Sequence, residues 1–166
     1  MPVLGPVPDT RRVQDGLAAA HPRLVLSIAH AWQWGLVTVS DPQALEPPRG
    51  DGPVSADPHW VVLHVAPARD VAVPDGAPSA RPQGAEATVH VEVRDAPHPR
   101  TARQVLHDGV LLTPRGVVAI GDAEQEVLVP AHPERTAVRV SVAPGEDLER
   151  LTAVWVELGP DPLPAA

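Results

Sequence analysis

Three carboxylates fall close together in the stretch GVVAIGDAEQEVLVP, residues 116–130: Asp122, Glu124 and Glu126. Carboxylates at this spacing can ligate a divalent cation, work as acid and base, face a basic partner, or simply solvate a turn. A calcium loop needs more oxygen ligands in closer register, as in Asp-x-Asp-x-Asp-Gly, and only part of that pattern is present. No basic residue lies in the turn. Two readings follow: a solvated hairpin turn, or an edge that touches a basic protein.

The eight histidines, at 21, 30, 59, 64, 90, 98, 107 and 132, are the other metal-ligand types available. A zinc site needs three or four ligands converging. There is no His-x-His pair and no His-Glu-x-x-His. His59 and His64 are five apart on a predicted strand and point to opposite faces, whereas His90 and Glu92 share one. A metal-dependent enzyme using His30, His90 or His107 is retained as a third reading. Nucleophilic chemistry has little to recommend it. None of Ser27, Ser40, Ser55, Ser79 or Ser141 sits in a Gly-x-Ser-x-Gly elbow, and neither Gly-x-Gly-x-x-Gly nor a P-loop occurs. Arg49-Gly50-Asp51 spells an adhesion tripeptide, which is read as coincidence.

Trp32, Trp34, Trp60 and Trp155 are the chain's only Phe, Tyr or Trp residues. On a continuous strand Trp32 and Trp34 share a face. Either they fill the core, in place of the missing Phe and Tyr, or they form a platform for a sugar ring or a partner's side chain.

These residues must be positioned by strands. Thr136–Val142 alternates, with Val138, Val140 and Val142 inward and Arg139 and Ser141 outward. Thr88–Arg94 repeats the pattern with Val89, Val91 and Val93, and Leu24–Ile28 alternates too. Period two with one wet face marks antiparallel strands. It predicts strands near 24–31, 33–40, 59–66, 87–94, 103–112, 116–121, 125–130, 136–143 and 152–158, the first two readable as one long bent strand. Pro/Gly turns between them indicate an all-β fold, an antiparallel two-sheet β-sandwich of about eight strands with long Pro-rich loops at 41–58 and 67–86. A short helix is predicted over 11–20 and a single helical turn at 148–151. The organisation is then a Pro-rich N-terminal segment (1–22), a sandwich domain (23–159) and a flexible tail (160–166). The acidic stretch becomes a hairpin of Val117–Ile120, a turn at 121–125, and Val127–Val129.

The chain has 166 residues, 22 Pro, no Cys and no Lys. One domain is the natural size, with no disulfide or thiolate metal site and no lysine nucleophile. The missing Lys, Asn, Phe and Tyr, and an Ile count limited to Ile28 and Ile120, reflect a G/C-rich coding sequence. The N-terminal residues show no apolar signal segment and no run is long enough to span a bilayer, so a cytoplasmic protein without a membrane partner is expected. The formal charge of −8 argues against nucleic acid and for a basic partner.

The order of segments adds a resemblance. Leu26–Asp41 (LSIAHAWQWGLVTVSD), Arg103–Leu112 (RQVLHDGVLL), then GVVAIG, EQEVLVP, Thr136–Val142 and the closing Val154–Leu158 (VWVEL) resemble the ComJ-like family in strand order and patterning. That resemblance implies a small β-sandwich that binds another protein. Because the family's named member is similar to an inhibitor of a competence nuclease, it implies a nuclease or toxin as partner. No catalytic residues carry over, and the family's Tyr and Phe positions have no counterpart here.

The sequence therefore predicts a non-enzymatic protein-binding sandwich without a cofactor. It would regulate a basic nuclease or toxin, with Asp122, Glu124, Glu126, Trp32 and Trp34 at the interface. The alternative is a sandwich binding a sugar or other small molecule through Trp32, Trp34 or Trp60.

Overall fold

A computed structural model describes residues 22–32, 34–67 and 86–162. The helix expected over 11–20, and nearly all of the 67–86 loop, lie outside those residues. The described chain is all-β, with ten strands in two five-stranded sheets. They are β1 (Leu24–His30), β2 (Leu36–Ser40), β3 (Val54–Ala56), β4 (Trp60–His64), β5 (Ala87–Val93), β6 (Gln104–Thr113), β7 (Val117–Gly121), β8 (Glu126–Pro130), β9 (Glu134–Val142) and β10 (Ala153–Pro160). One sheet, A, has the order β1-β5-β10-β9-β6; the other, B, has the order β3-β4-β2-β7-β8.

The valine ladders place the core. Val89, Val91 and Val93 on β5 and Val138, Val140 and Val142 on β9 are fully buried, as their alternation predicts. So are Val154, Val156 and Leu158 on β10, Val37 and Val39 on β2, and Val118 and Ile120 on β7. Side chains from both sheets join a single hydrophobic cluster. β-Branched residues suit this pleated surface, and the shared cluster is the main stabilising term.

The first two strands are not one bent strand. The chain leaves sheet A after His30 and enters sheet B at Leu36. Gly35 makes the corner: it has φ +64°, its N–H donates to the Trp32 carbonyl (3.1 Å), and its carbonyl accepts from Val65 N–H (2.8 Å). A Cβ there would lie 2.6 Å from the Val65 carbonyl oxygen, so glycine is needed on both counts. Because the corner breaks the period of two, Trp32 and Trp34 do not share a face. Trp32 enters the core with its Nε1–H donating to the Ala87 carbonyl at 3.0 Å.

Four further expectations are corrected. β10 pairs antiparallel with β9 but parallel with β5, so sheet A is mixed rather than purely antiparallel. Alternation has the same period in both pairings and could not distinguish them. β3, three residues inside the predicted 41–58 loop, is too short to show a period. In place of the helical turn expected at 148–151, residues 147–150 form a turn closed by Arg150 N–H to Asp147 O, and Leu151 bridges to Val65. Pro160, assigned to the predicted tail, ends β10, and the Asp161 carboxylate pairs with Arg135; residues 163–166 lie outside the described residues.

Trp32→Ala removes the largest buried side chain and leaves the Ala87 carbonyl without its donor. It is expected to destabilise the domain by about 3–5 kcal/mol, read from the shift in urea midpoint.

Candidate functional site

The acidic hairpin forms as expected, with β7 and β8 paired antiparallel and Gly121 opposite Glu126. Its carboxylates are not equivalent. Asp122 Oδ1 accepts from the N–H groups of Glu124 (2.9 Å) and Gln125 (2.8 Å), capping the turn. Its Oδ2 lies 3.9 Å from His30 Nε2, and the side chain is only 8% exposed. Asp122 is thus a turn-former turned inward, and reversing its charge would not leave the fold untouched. Glu124 and Glu126 are exposed.

The four tryptophans have four surroundings. Trp32 is 0% exposed, which removes it from any surface a partner could touch; its proposed interface role is corrected on that ground. Trp155 lies on the outer face of sheet A, stacked against His90 (centroids 4.8 Å) with the Arg103 guanidinium 4.6 Å from its ring centroid. Trp34 projects from the Gly35 corner and is 68% exposed. Trp60 opens β4 opposite Ser40, on the outer face of sheet B. Trp34 and Trp60 line one groove of about 350 Å³ together with Leu36, Pro47, Asp122 and Glu126. The structure therefore brings together Trp34, Asp122 and Glu126 from the predicted interface with Trp60 from the alternative small-molecule reading. The volume is at the lower end of the range for ligand pockets.

The outer face of sheet A holds what the sequence did not show. Ser141 and Arg139 were expected on a wet face, yet Ser141 is fully buried and Arg139 largely covered. The segment 95–103 crosses this face: Arg139 Nη1 donates to the Pro99 carbonyl at 2.7 Å, and Arg103 pairs with Glu92 at 3.6 Å. Arg94 bonds Glu92 and lies 3.7 Å from Glu157, while Arg139 pairs with Asp108 at 3.0 Å. Three guanidinium groups and three carboxylates offset one another beneath a strap of chain. Glu157, 2% exposed, has its pKa raised, first by burial and then by the Glu92 charge. His98 and His107 are lowered, chiefly by burial, with the Arg139 charge adding to the effect at His98. A second groove, of about 380 Å³, lies beside the strap among His98, Asp108, Arg139 and Asp161. Its charges are already paired: Arg139 with Asp108, and Asp161 with Arg135. One signal was legible, His90 and Glu92 sharing a face, but their partners come from distant segments.

His30, His90 and His107 do not converge. His30 contacts Trp32 at the end of β1, His90 lies outward on β5 with Nδ1 2.9 Å from Ser27 Oγ, and His107 packs over Gly109 on β6. Among the described residues no group of three or more His, Cys, Asp or Glu is placed to hold a metal ion.

No family model and no curated protein matches the chain. Among solved structures, one described as "Crocagin biosynthetic gene J" aligns over 83% of this chain and 97% of its own, at 12% identity and a TM-score of 0.49. No activity is carried across a likeness of that size.

Glu157 sets a pH dependence. Its folded pKa is raised, so its contribution to stability is fully present below the ordinary value of 4.5 and is lost as pH rises through the folded value. Glu157→Gln removes that loss. The stability of the variant relative to wild type should therefore improve as pH rises above 4.5 and level off once the pH has passed the folded value, as read in urea titrations. For Asp122→Ala the expected cost is about 1 kcal/mol, the value of a lost capping side chain, against less than about 0.5 kcal/mol for Glu126→Gln.

Proposed function

We propose that this chain is a non-enzymatic protein-binding domain. In this reading its two sheets face each other across the common cluster as a β-sandwich, and the outer face of sheet B docks a basic protein. The supporting observation is the groove that holds exposed Trp34 beside Trp60, with exposed Glu126 and the largely covered Asp122 among its lining residues. An aromatic anchor in a concave patch is the arrangement from which interfaces draw most of their affinity. Carboxylates at the rim select a partner by charge and speed its approach, and the formal charge of −8 acts in the same direction. The ComJ-like strand order suggests the partner class: a nuclease or toxin whose substrate cleft is basic, blocked by an acidic surface. Glu124, exposed on the same turn, extends the acidic rim.

A second reading rests on the same groove. An exposed indole beside carboxylates also suits a sugar ring, which stacks on the aromatic face while its hydroxyls donate to the acids.

Affinity capture from the native cell, with wild type and Trp34→Ala compared by mass spectrometry, tests the first reading. A basic protein should be retained by wild type at low ionic strength, and retention should fall about tenfold or more in Trp34→Ala, whose own stability should change by less than about 0.5 kcal/mol. Equal retention by both proteins would remove the groove from the interface. Titration with a sugar panel that shifts tryptophan emission in wild type but not in Trp34→Ala would favour the carbohydrate reading instead.

A further inference from the structure

The Trp34 groove does not end at Trp60. Trp60 also lines a second depression, of about 280 Å³, whose walls carry Glu46 and Asp57. That depression shares Gln43, Ala44 and His59 with a third, of about 320 Å³, which reaches Asp41, Leu112 and Glu134. The three depressions thus adjoin one another, through Trp60 and through Gln43, Ala44 and His59, as an interrupted trough that runs along sheet B toward β6. Six carboxylates line it: Asp41, Glu46, Asp57, Asp122, Glu126 and Glu134. No arginine does. Its apolar parts include Trp34, Leu36 and Leu45, three of the exposed large hydrophobic side chains among the described residues.

The two outer faces therefore differ in kind. On the outer face of sheet A the carboxylates of Glu92, Glu157 and Asp108 each lie beside a guanidinium. Along the trough no guanidinium answers the acids: the basic side chains there are the imidazoles of His30, beside Asp122, and His59, while Asp57 Oδ1 accepts from the N–H groups of His59 (2.7 Å) and Trp60 (2.9 Å). An independent observation lies at the far end. Asp41 is 6% exposed; its Oδ1 accepts from Gln43 N–H at 2.9 Å, while its Oδ2 is buried with no hydrogen-bond partner. A buried carboxylate oxygen without a donor costs free energy unless something supplies one.

The geometry points to an extended basic peptide segment as the occupant of this trough, its arginine or lysine side chains directed at the acids and its apolar side chains set on Trp34, Leu36 and Leu45. An elongated trough suits an extended chain better than a single small ligand. Alternating carboxylates and apolar surface suit a segment that alternates cationic and apolar residues. At the Asp41 end a cationic N–H would complete the unmet Oδ2. The inference rests on the protein-binding reading and narrows it: the partner presents a strand-like or unfolded basic segment rather than a folded convex face.

The test uses a fluorescein-labelled peptide of about ten residues alternating Arg and Leu, with a Glu-for-Arg peptide as control, read by anisotropy. Wild type should bind the basic peptide only, and more weakly as ionic strength rises toward about 0.15 M. The double variant Glu46→Gln/Glu126→Gln should lose at least tenfold in affinity. Glu86→Gln/Glu149→Gln, which removes the same charge at exposed sites off the trough, should change it less than twofold. Asp41→Asn should weaken binding while its thermal midpoint confirms that it is folded. Equal losses in the two double variants would reduce the effect to bulk charge and overturn the inference, as would no binding by wild type. If wild type ignores the peptide but still captures a basic protein that Trp34→Ala releases, the protein-binding reading stands and the extended-segment inference falls.

Discussion

The rest of the structure depends on one corner, where the indole of Trp32 meets the carbonyl of Ala87. Here the chain leaves one sheet for the other. Trp32 is the largest side chain fully inside a core otherwise built mostly from valine. Its single polar atom is satisfied by the first residue of β5. The same corner fixes Gly35 against Val65, and Val65 in turn bridges to Leu151, whose carbonyl accepts from Ala66 N–H at 2.9 Å. Backbone hydrogen bonds thus stitch the sheets together next to the buried ring. Trp34 is displayed outward because Trp32 is held inward: a two-residue spacing that would have aligned them on a strand separates them at a corner.

Much of the strand content was legible because burial writes itself into alternation. The predicted 87–94, 103–112 and 136–143 match β5, β6 and β9 within a residue or two, and their inward valines are the ones buried. The hairpin around Asp122 was legible for the same reason. What could not be read is how strands pair across distance. Nothing in the pattern of β10 says that it runs parallel to β5, and nothing in 54–56 is long enough to announce a strand. Of the site, the exposed Trp34 and the acidic turn were within reach. The inward turn of Asp122 was not, since an Asx cap looks in sequence like any exposed aspartate. Trp60 as a companion, and Asp41 and Glu46 as continuations, depend on how the 41–53 connection lies against sheet B.

The two outer faces show how similar residues are put to different uses. On sheet A, Glu92, Glu157 and Asp108 are met by Arg94, Arg103 and Arg139, and the network fastens a strap of chain over the strands. Its electrostatic energy is spent internally, and burial pushes its titrating groups in opposite directions: Glu157 up, His98 down. On sheet B the partners of Asp41, Asp57 and Asp122 are backbone N–H groups, with His30 beside Asp122, and no guanidinium pairs with them among the described residues. A chain with 21 acidic residues has to place its 13 arginines somewhere. Here the described structure concentrates several of them on one face, which leaves the other as the source of the field.

The parallel pairing of β10 has a consequence for how the chain is made. β10 sits between β5 and β9, yet it follows all the other nine strands in sequence. During vectorial synthesis β1 and β5 can pair, and β6 and β9 can pair, but the two halves of sheet A have no common strand until β10 emerges. Each half then exposes an interior edge with unsatisfied backbone groups to the translating cell. Closure of that sheet is a late, non-local event. The interval before it is when the nascent chain is most open to wrong pairing and to chaperones that cover bare strand edges.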